Sequence, residues 1–241
     1  MPQKITKTTK EIFFSTIKNK LLNANSILDV GCGIRPQAFS NPFIRIHVDA
    51  HKQYLDIIKR GNNNRAGLFN LNKFYLNLTT DDIIKYFPEN LVDSIYLIDV
   101  IEHLEKEHAK ILISRFEEIS INQIIIFTPL GFVEQLHPDG KDAWGLDGGK
   151  WQEHKSGWLP SDFDDSWEII ICEDFHETDN MGKLRSEPVG AFFAIKSKKS
   201  SEKNKPNKLM KIYLIIKYKI IIQKLKLKIK NGRGCYSCYS E

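Results

Sequence analysis

The feature that most constrains the fold is an alternation. Short apolar runs rich in β-branched residues are separated by stretches with helical spacing. Ser26–Val30 (SILDV), Ile44–Asp49, residues 74–78, 94–100 (SIYLIDV) and 121–128 (INQIIIFT) read as five strands, with residues 167–172 and 191–195 as a sixth and seventh. Between the first five lie helical segments. Residues 103–119 place apolar side chains at 104, 111, 112, 116 and 119, a helical face. Thr80-Asp81-Asp82 opens another helix with capping residues, and residues 52–59 form a shorter one. Residues 10–22 predict a helix ahead of the sheet. Strands alternating with helices build crossovers onto a parallel sheet. The expected fold is therefore α/β: a doubly wound, mostly parallel seven-stranded sheet. Such sheets bind ligands beyond the carboxyl ends of their strands, where the strand order reverses.

Charge divides the chain. From Lys196 onward there are 14 basic and two acidic residues, a balance of +12, whereas residues 1–195 carry 21 bases and 28 acids, a balance of −7. The expected organisation is a ligand-binding domain over 1–196 and a basic amphipathic tail over 197–241. The start of the chain lacks a secretory hydrophobic region, and no apolar run reaches the roughly 18 residues of a membrane-spanning helix. Cysteines at 32, 172, 235 and 238 do not form a disulfide framework, which predicts a reducing, cytoplasmic setting.

The chemistry concentrates at strand ends. Leu28-Asp29-Val30-Gly31-Cys32-Gly33 follows the first strand directly. Glycines there let backbone approach a ligand with no Cβ in the way. Twenty residues past Asp29, Asp49 ends the second strand, where a carboxylate accepts hydrogen bonds from ribose hydroxyls. The competing reading is an ordinary strand-to-helix turn with a surface Asp; the agreement of turn, acid and spacing favours a nucleoside site. Pro36 stands where a dinucleotide fingerprint has its third glycine, which argues against NAD or FAD.

LDVGCG, HVDA and LIDVIEHLEK together resemble the class I S-adenosylmethionine methyltransferases, over about residues 20–130. TPLGFVEQ and WQEHKSGW are similar to segments of methyltransferases from bacterial polysaccharide and lipopolysaccharide gene clusters. The resemblance implies S-adenosylmethionine as cofactor, with Gly31 and Gly33 against its methionine part and Asp49 on its ribose. Asp29, Cys32, Ala50 and Val100 belong to the same cofactor-binding set. Asn77 and Leu78 fall where the family often carries an acid beside the adenine. Asp99 would face the sulfonium and amino group, a strand-end helix cap being its other reading. The implied activity is methyl transfer, to a hydroxyl of a sugar or glycan intermediate. A [DN]PPY signature is absent from Asp99-Val100-Ile101-Glu102, which demotes nucleobase N-methylation.

A hydroxyl acceptor benefits from a base near neutral pH. His154, in the long segment 131–165, is the catalytic candidate; His137 is second, and both have a plain reading as solvated loop histidines. Trp144, Trp151 and Trp158 either wall a substrate site or pin the loop. His103 and His108, five apart, do not share a helix face as a zinc helix requires, so no metal is expected.

Residues 209–230 mix Ile, Leu and Tyr with seven lysines, and 224–230 alternate as a strand would. Three readings rank in order: an anionic membrane surface on the cytoplasmic side, a solvated extension packed on the domain or on a dimer partner, and nucleic acid. Cys235-Tyr236-Ser237-Cys238 lacks the partner pair of a zinc site. Two functional alternatives stand beside the enzyme: a non-catalytic membrane scaffold that retains the cofactor fold, and an RNA methyltransferase using the tail.

Overall fold

The computed structural model describes residues 2–63, 71–178, 182–198 and 205–234. Cys235 and Cys238, and half of the linker at 197–208, lie outside the described residues. The strands are β1 (Lys4–Lys7), β2 (Ser26–Val30), β3 (Ile44–Asp49), β4 (Lys73–Asn77), β5 (Val92–Ile98), β6 (Ser120–Pro129), β7 (Glu168–Thr178) and β8 (Leu184–Ser197). The helices are α1 (Lys10–Lys18), α2 (Lys52–Asn63), α3 (Thr80–Tyr86), α4 (Lys106–Ile119), α5 (Gly149–Gln152) and α6 (Lys208–Gly234).

The strands form one sheet in the order β1-β7-β8-β6-β5-β2-β3-β4. All pairings are parallel except those of β8 with β6 and with β7. From β2 the chain moves outward through β3 and β4, then returns to place β5 on the other side of β2. The switch in strand order therefore lies between β2 and β5. The sheet has eight strands where seven were expected. The additional strand, β1, is a lysine-rich edge segment whose register comes from pairing with β7, supported by Lys4–Glu168 at 2.9 Å. Its own four residues are too polar to announce a strand.

Both faces of the sheet are covered, which is why β2 is buried at every position, Ser26 and Asp29 included. Alternate residues serve opposite faces. Ile27, Ile125, Phe127 and Phe193 pack with Phe13 and Ile17 of α1. Leu28, Ile124, Ile126 and Phe192 join the larger cluster with α3, α4 and α6. Helix α3 starts where the capping residues direct: Asp82 accepts from the Thr79 backbone N–H at 3.0 Å, and Thr79 Oγ1 accepts from the Asp82 N–H. The helix expected over 103–119 begins at Lys106. Residues Ile101–His103 form a separate 3-10 turn, because the Glu102 carbonyl accepts from the N–H groups of Lys155 and Ser156 at 2.7 and 3.0 Å.

The strand-like alternation at 224–230 gives way to helix. Asn207 caps α6, its Oδ1 accepting from the Met210 N–H at 2.9 Å. Tyr218, Ile222, Leu225 and Ile229 then form a seam at helical spacing, buried in the larger cluster. The Tyr218 hydroxyl donates to the Leu91 carbonyl at 2.7 Å. Leu209, Ile212, Tyr213, Ile216 and Ile220 remain exposed. No helix of the described residues is long and apolar enough to cross a membrane.

If the seam docks α6, Ile222→Ala should lower the unfolding free energy by about 2–5 kcal/mol. Leu227→Ala, at an exposed position, should stay within about 0.5 kcal/mol. Urea denaturation measures both, and equal losses would refute docking through this seam.

Candidate functional site

A cavity of about 540 Å³ opens at the carboxyl ends of the central strands. Its wall gathers the turn after β2 (Gly31–Gly33), the end of β3 (Asp49, Ala50), Leu78–Thr80 after β4, and Asp99 and Val100 after β5. Asp29 and His154 also line it. Of the cofactor-binding and catalytic candidates singled out in the sequence, Asn77 and the second base candidate His137 lie outside this lining. The Asn77 amide is engaged elsewhere, donating to the carbonyls of Asp49 and Ala50 at 3.0 and 2.8 Å.

The glycine turn is forced by its neighbours. Gly31 and Gly33 have φ of +61° and +53°, the left-handed region. A Cβ on Gly31 would meet Val100 Cγ2 at 2.7 Å, and one on Gly33 would meet Trp144 Cη2 at 2.7 Å. The turn is tied to β3: the N–H groups of Gly31 and Cys32 donate to the Val48 carbonyl at 2.8 and 3.3 Å, and that of Gly33 to Asp49 Oδ2 at 2.9 Å. Asp49 Oδ1 accepts from the His51 N–H at 2.8 Å. Burial pushes the Asp49 carboxyl up, against these two N–H bonds that favour its charge. Asp29 sits beneath the turn, its Oδ2 facing His47 Nδ1 at 3.2 Å and accepting from the Gln37 N–H at 3.3 Å. Burial, reinforced by Asp29 and Asp49, holds the Cys32 thiol well above its ordinary value, so it stays protonated.

The β5 end carries two more carboxyls. Asp99 has φ of +52°, uncommon for a residue with a Cβ, and its N–H donates to the Phe127 carbonyl at 3.0 Å. Its surface is open to the cavity, yet enclosure by surrounding protein raises its carboxyl above the usual range. Glu102 is buried. Its Oε2 accepts from Thr128 Oγ1 at 3.0 Å, while Oε1 has no hydrogen-bond partner. Burial first, and then Asp99, raise its carboxyl further. In the sequence Glu102 looked like nothing more than the start of a helix.

The long segment after β6 folds back across these ends. The Gly131 N–H donates to the Trp158 carbonyl at 2.7 Å, and Ser156 Oγ donates to the Ile101 carbonyl at 3.1 Å. Lys106 Nζ donates to the Gly157 carbonyl and to Asp162 Oδ2, at 3.0 and 2.8 Å. The three tryptophans part ways. Trp158 is fully buried, donates to Ser156 Oγ at 2.9 Å and pins the loop, while Trp144 and Trp151 wall the cavity. Asp142 shapes the Trp144 turn, accepting from the N–H groups of Trp144 and Leu146 and from the Tyr54 hydroxyl of α2. No spacing rule connects Tyr54 to Asp142 in the sequence.

This folding sets His154 beside His103, with ring centroids 5.0 Å apart. His154 Nδ1 lies 2.6 Å from the Val133 carbonyl, and His103 Nδ1 lies 3.2 Å from the Glu153 carbonyl. A carbonyl only accepts, so each ring donates from Nδ1 and keeps the lone pair on Nε2. Burial lowers both pKa values, that of His103 to about 4, so both are neutral near pH 7. His176 of β7 also lines the cavity and was not anticipated. His137 is buried outside it, with Nε2 at 3.3 Å from Gln135 Nε2.

No protein-family model matches the chain, and no curated protein matches it. Solved structures do. TehB from Haemophilus influenzae is 14% identical with a TM-score of 0.51, over 76% of this chain and 61% of that one, so the chain spans less than two thirds of TehB. A candidate methyltransferase (BH2331) from Bacillus halodurans is 11% identical with a TM-score of 0.51, over 78% of this chain and 99% of that one. A SAM-dependent methyltransferase from Archaeoglobus fulgidus is 16% identical with a TM-score of 0.47, over 78% and 97%. At these identities the likeness is one of fold: the chain carries the α/β sheet on which methyltransferases are built.

Gly33→Ala should cost about 1–2 kcal/mol in backbone strain, plus the displacement of Trp144. In a Trp144→Ala background the same substitution should cost less, the difference being the coupling of the two sites. Equal costs in both backgrounds, by urea denaturation, would show that the Trp144 ring does not rest on Gly33.

Proposed function

We propose that the chain is an S-adenosylmethionine-dependent methyltransferase acting on a hydroxyl of a sugar or glycan intermediate. One observation carries the reading: Gly31, Gly33, Asp49 and Asp99 converge on a single cavity at the switch in strand order. The residues fit that cofactor. The two glycines line the cavity in a turn where a Cβ would strike Val100 or Trp144. Asp49 offers carboxylate oxygens to ribose hydroxyls, and Asp99 an anionic partner for the ammonium and sulfonium. Asp29, Cys32, Ala50 and Val100 complete the wall around them. Leu78 replaces the adenine-side acid with apolar contact, while Asn77 braces the backbone behind it. When bound, the cofactor supplies a methyl group activated by its positively charged sulfur, so the protein's task is alignment.

His154 then acts on the acceptor. Neutral and held by Val133, it presents Nε2 to take the hydroxyl proton. Trp144 and Trp151 offer flat apolar faces to a sugar ring. In this reading residues 1–196 carry the chemistry and 197–241 attach the enzyme to an anionic bilayer on the cytoplasmic side. The exposed Leu209, Ile212, Ile216 and Ile220 among the α6 lysines support that attachment.

Calorimetric titration with S-adenosylhomocysteine should show binding where NAD shows none. Asp49→Ala should weaken it by about 1.5–3 kcal/mol, and unchanged affinity removes Asp49 from the ribose site. His154→Ala should slow turnover about 10²–10⁴-fold with cofactor affinity retained; wild-type turnover would end its catalytic role. Truncating α6 would uncover the core, so the membrane role is better tested by Ile212, Ile216 and Ile220 changed together to Ser. That variant should lose co-sedimentation with anionic vesicles at low salt. Wild-type protein that stays in the supernatant excludes the attachment.

A further inference from the structure

We propose that Glu102, His103 and His154 hold a divalent first-row transition-metal ion in the cavity wall. The three residues each offer one ligand atom, and these atoms all lie within 4.8 Å of one another. Three features beyond proximity support the site. Glu102 Oε1 is buried without a hydrogen-bond partner, a costly state for a carboxylate oxygen unless a cation meets it. Both imidazoles donate from Nδ1 to a backbone carbonyl, which fixes the tautomer and leaves Nε2 to ligate. Metal-bound histidines are oriented in this way. Finally, Thr128 Oγ1 holds the other Glu102 oxygen at 3.0 Å, so the carboxylate is also braced.

The helical spacing of His103 and His108 hid this site. The second imidazole comes from the loop after β6, and His108 instead faces Thr80 Oγ1 at 2.8 Å. Two imidazoles and one carboxylate suit Zn²⁺, Co²⁺, Fe²⁺ or Mn²⁺ and leave coordination positions open. Here the inference deepens the hydroxyl-acceptor reading and, for its role, rests on it. An acceptor oxygen bound to the ion is acidified as bound water is. Its O–H bond breaks, the electron pair stays on oxygen and the proton leaves to water. His154 then serves as a ligand through the same Nε2 that would otherwise take the proton.

The test loads metal-free full-length protein with Co²⁺ alone and follows its visible d–d absorption, with metal content counted by elemental analysis. The expected result is one equivalent of Co²⁺, displaced by Zn²⁺. Glu102→Gln, His103→Asn and His154→Ala should each weaken Co²⁺ binding by about tenfold or more. His108→Ala should leave the spectrum unchanged. Far-UV circular dichroism and S-adenosylhomocysteine titration report whether each variant is folded, and three separate ligand variants keep the test open if one is not. Absence of stoichiometric Co²⁺ binding, or a spectrum indifferent to all folded ligand variants, overturns the site. The outcomes separate from the reading above: cofactor binding without metal binding sinks only the metal, and the converse sinks only the methyltransferase.

Discussion

The site depends on crowding at the end of β2. With β3 on one side and β5 on the other, the chain leaves β2 between Val48 and Val100. Only a glycine with positive φ turns there without striking Val100, and a second is needed beneath Trp144. The same topology brings Asp49, Asp99 and Glu102 to one cavity, since each follows or ends a strand adjoining β2 or its neighbours. Among the described residues no salt bridge reaches these three carboxyls. Burial raises all three carboxyls, Glu102 most, so an entering cation would favour their charged forms by supplying the partner that the protein does not. A ligand with a sulfonium and an ammonium, or a metal dication, is the natural complement.

The second half of the site is made by a chain segment that has almost no regular structure. Residues 130–165 return over the strand ends because Trp158, Ser156 and the Glu102 carbonyl form a buried hydrogen-bonded seam. Asp142 and the Tyr54 hydroxyl tie the far end of the loop to α2. The loop is thus built like a small core of its own, and it carries Trp144, Trp151 and His154 into place. Functional groups are often carried on loops that a packed scaffold positions.

Legibility in the sequence follows burial. β2 and β3 are bounded by the sequence at the residues the structure shows, because Ile27, Leu28 and Val30, and Ile44, Ile46 and Val48, mark short β-branched and aliphatic runs that the sheet buries. β1 was invisible, since an edge strand of four residues need bury little. α6 misled by pattern: the alternation at 224–230 is a strand's, but Tyr218, Ile222, Leu225 and Ile229 also lie on one helical stripe, and only packing against α3 selects between the periods. The seam used aliphatic residues that read, in isolation, as membrane-seeking, and left Leu209, Ile212, Ile216 and Ile220 outside it.

Gly31, Gly33, Asp49 and Asp99 were determined by local order alone. Each stands at or just past the end of an apolar run, and in a parallel sheet those ends meet at one edge. The partnership of Glu102 and His103 with His154 was not. Fifty-one residues separate His103 from His154, and no periodicity spans that distance. Only the return of the loop, fixed by backbone bonds to Glu102 and Trp158 together with the side-chain bonds of Ser156, Trp158 and Lys106, decided which imidazole would face which carboxylate. Side-chain pattern encodes what a segment buries, whereas the pairing of distant segments is settled by the geometry in which their backbone groups can all be satisfied.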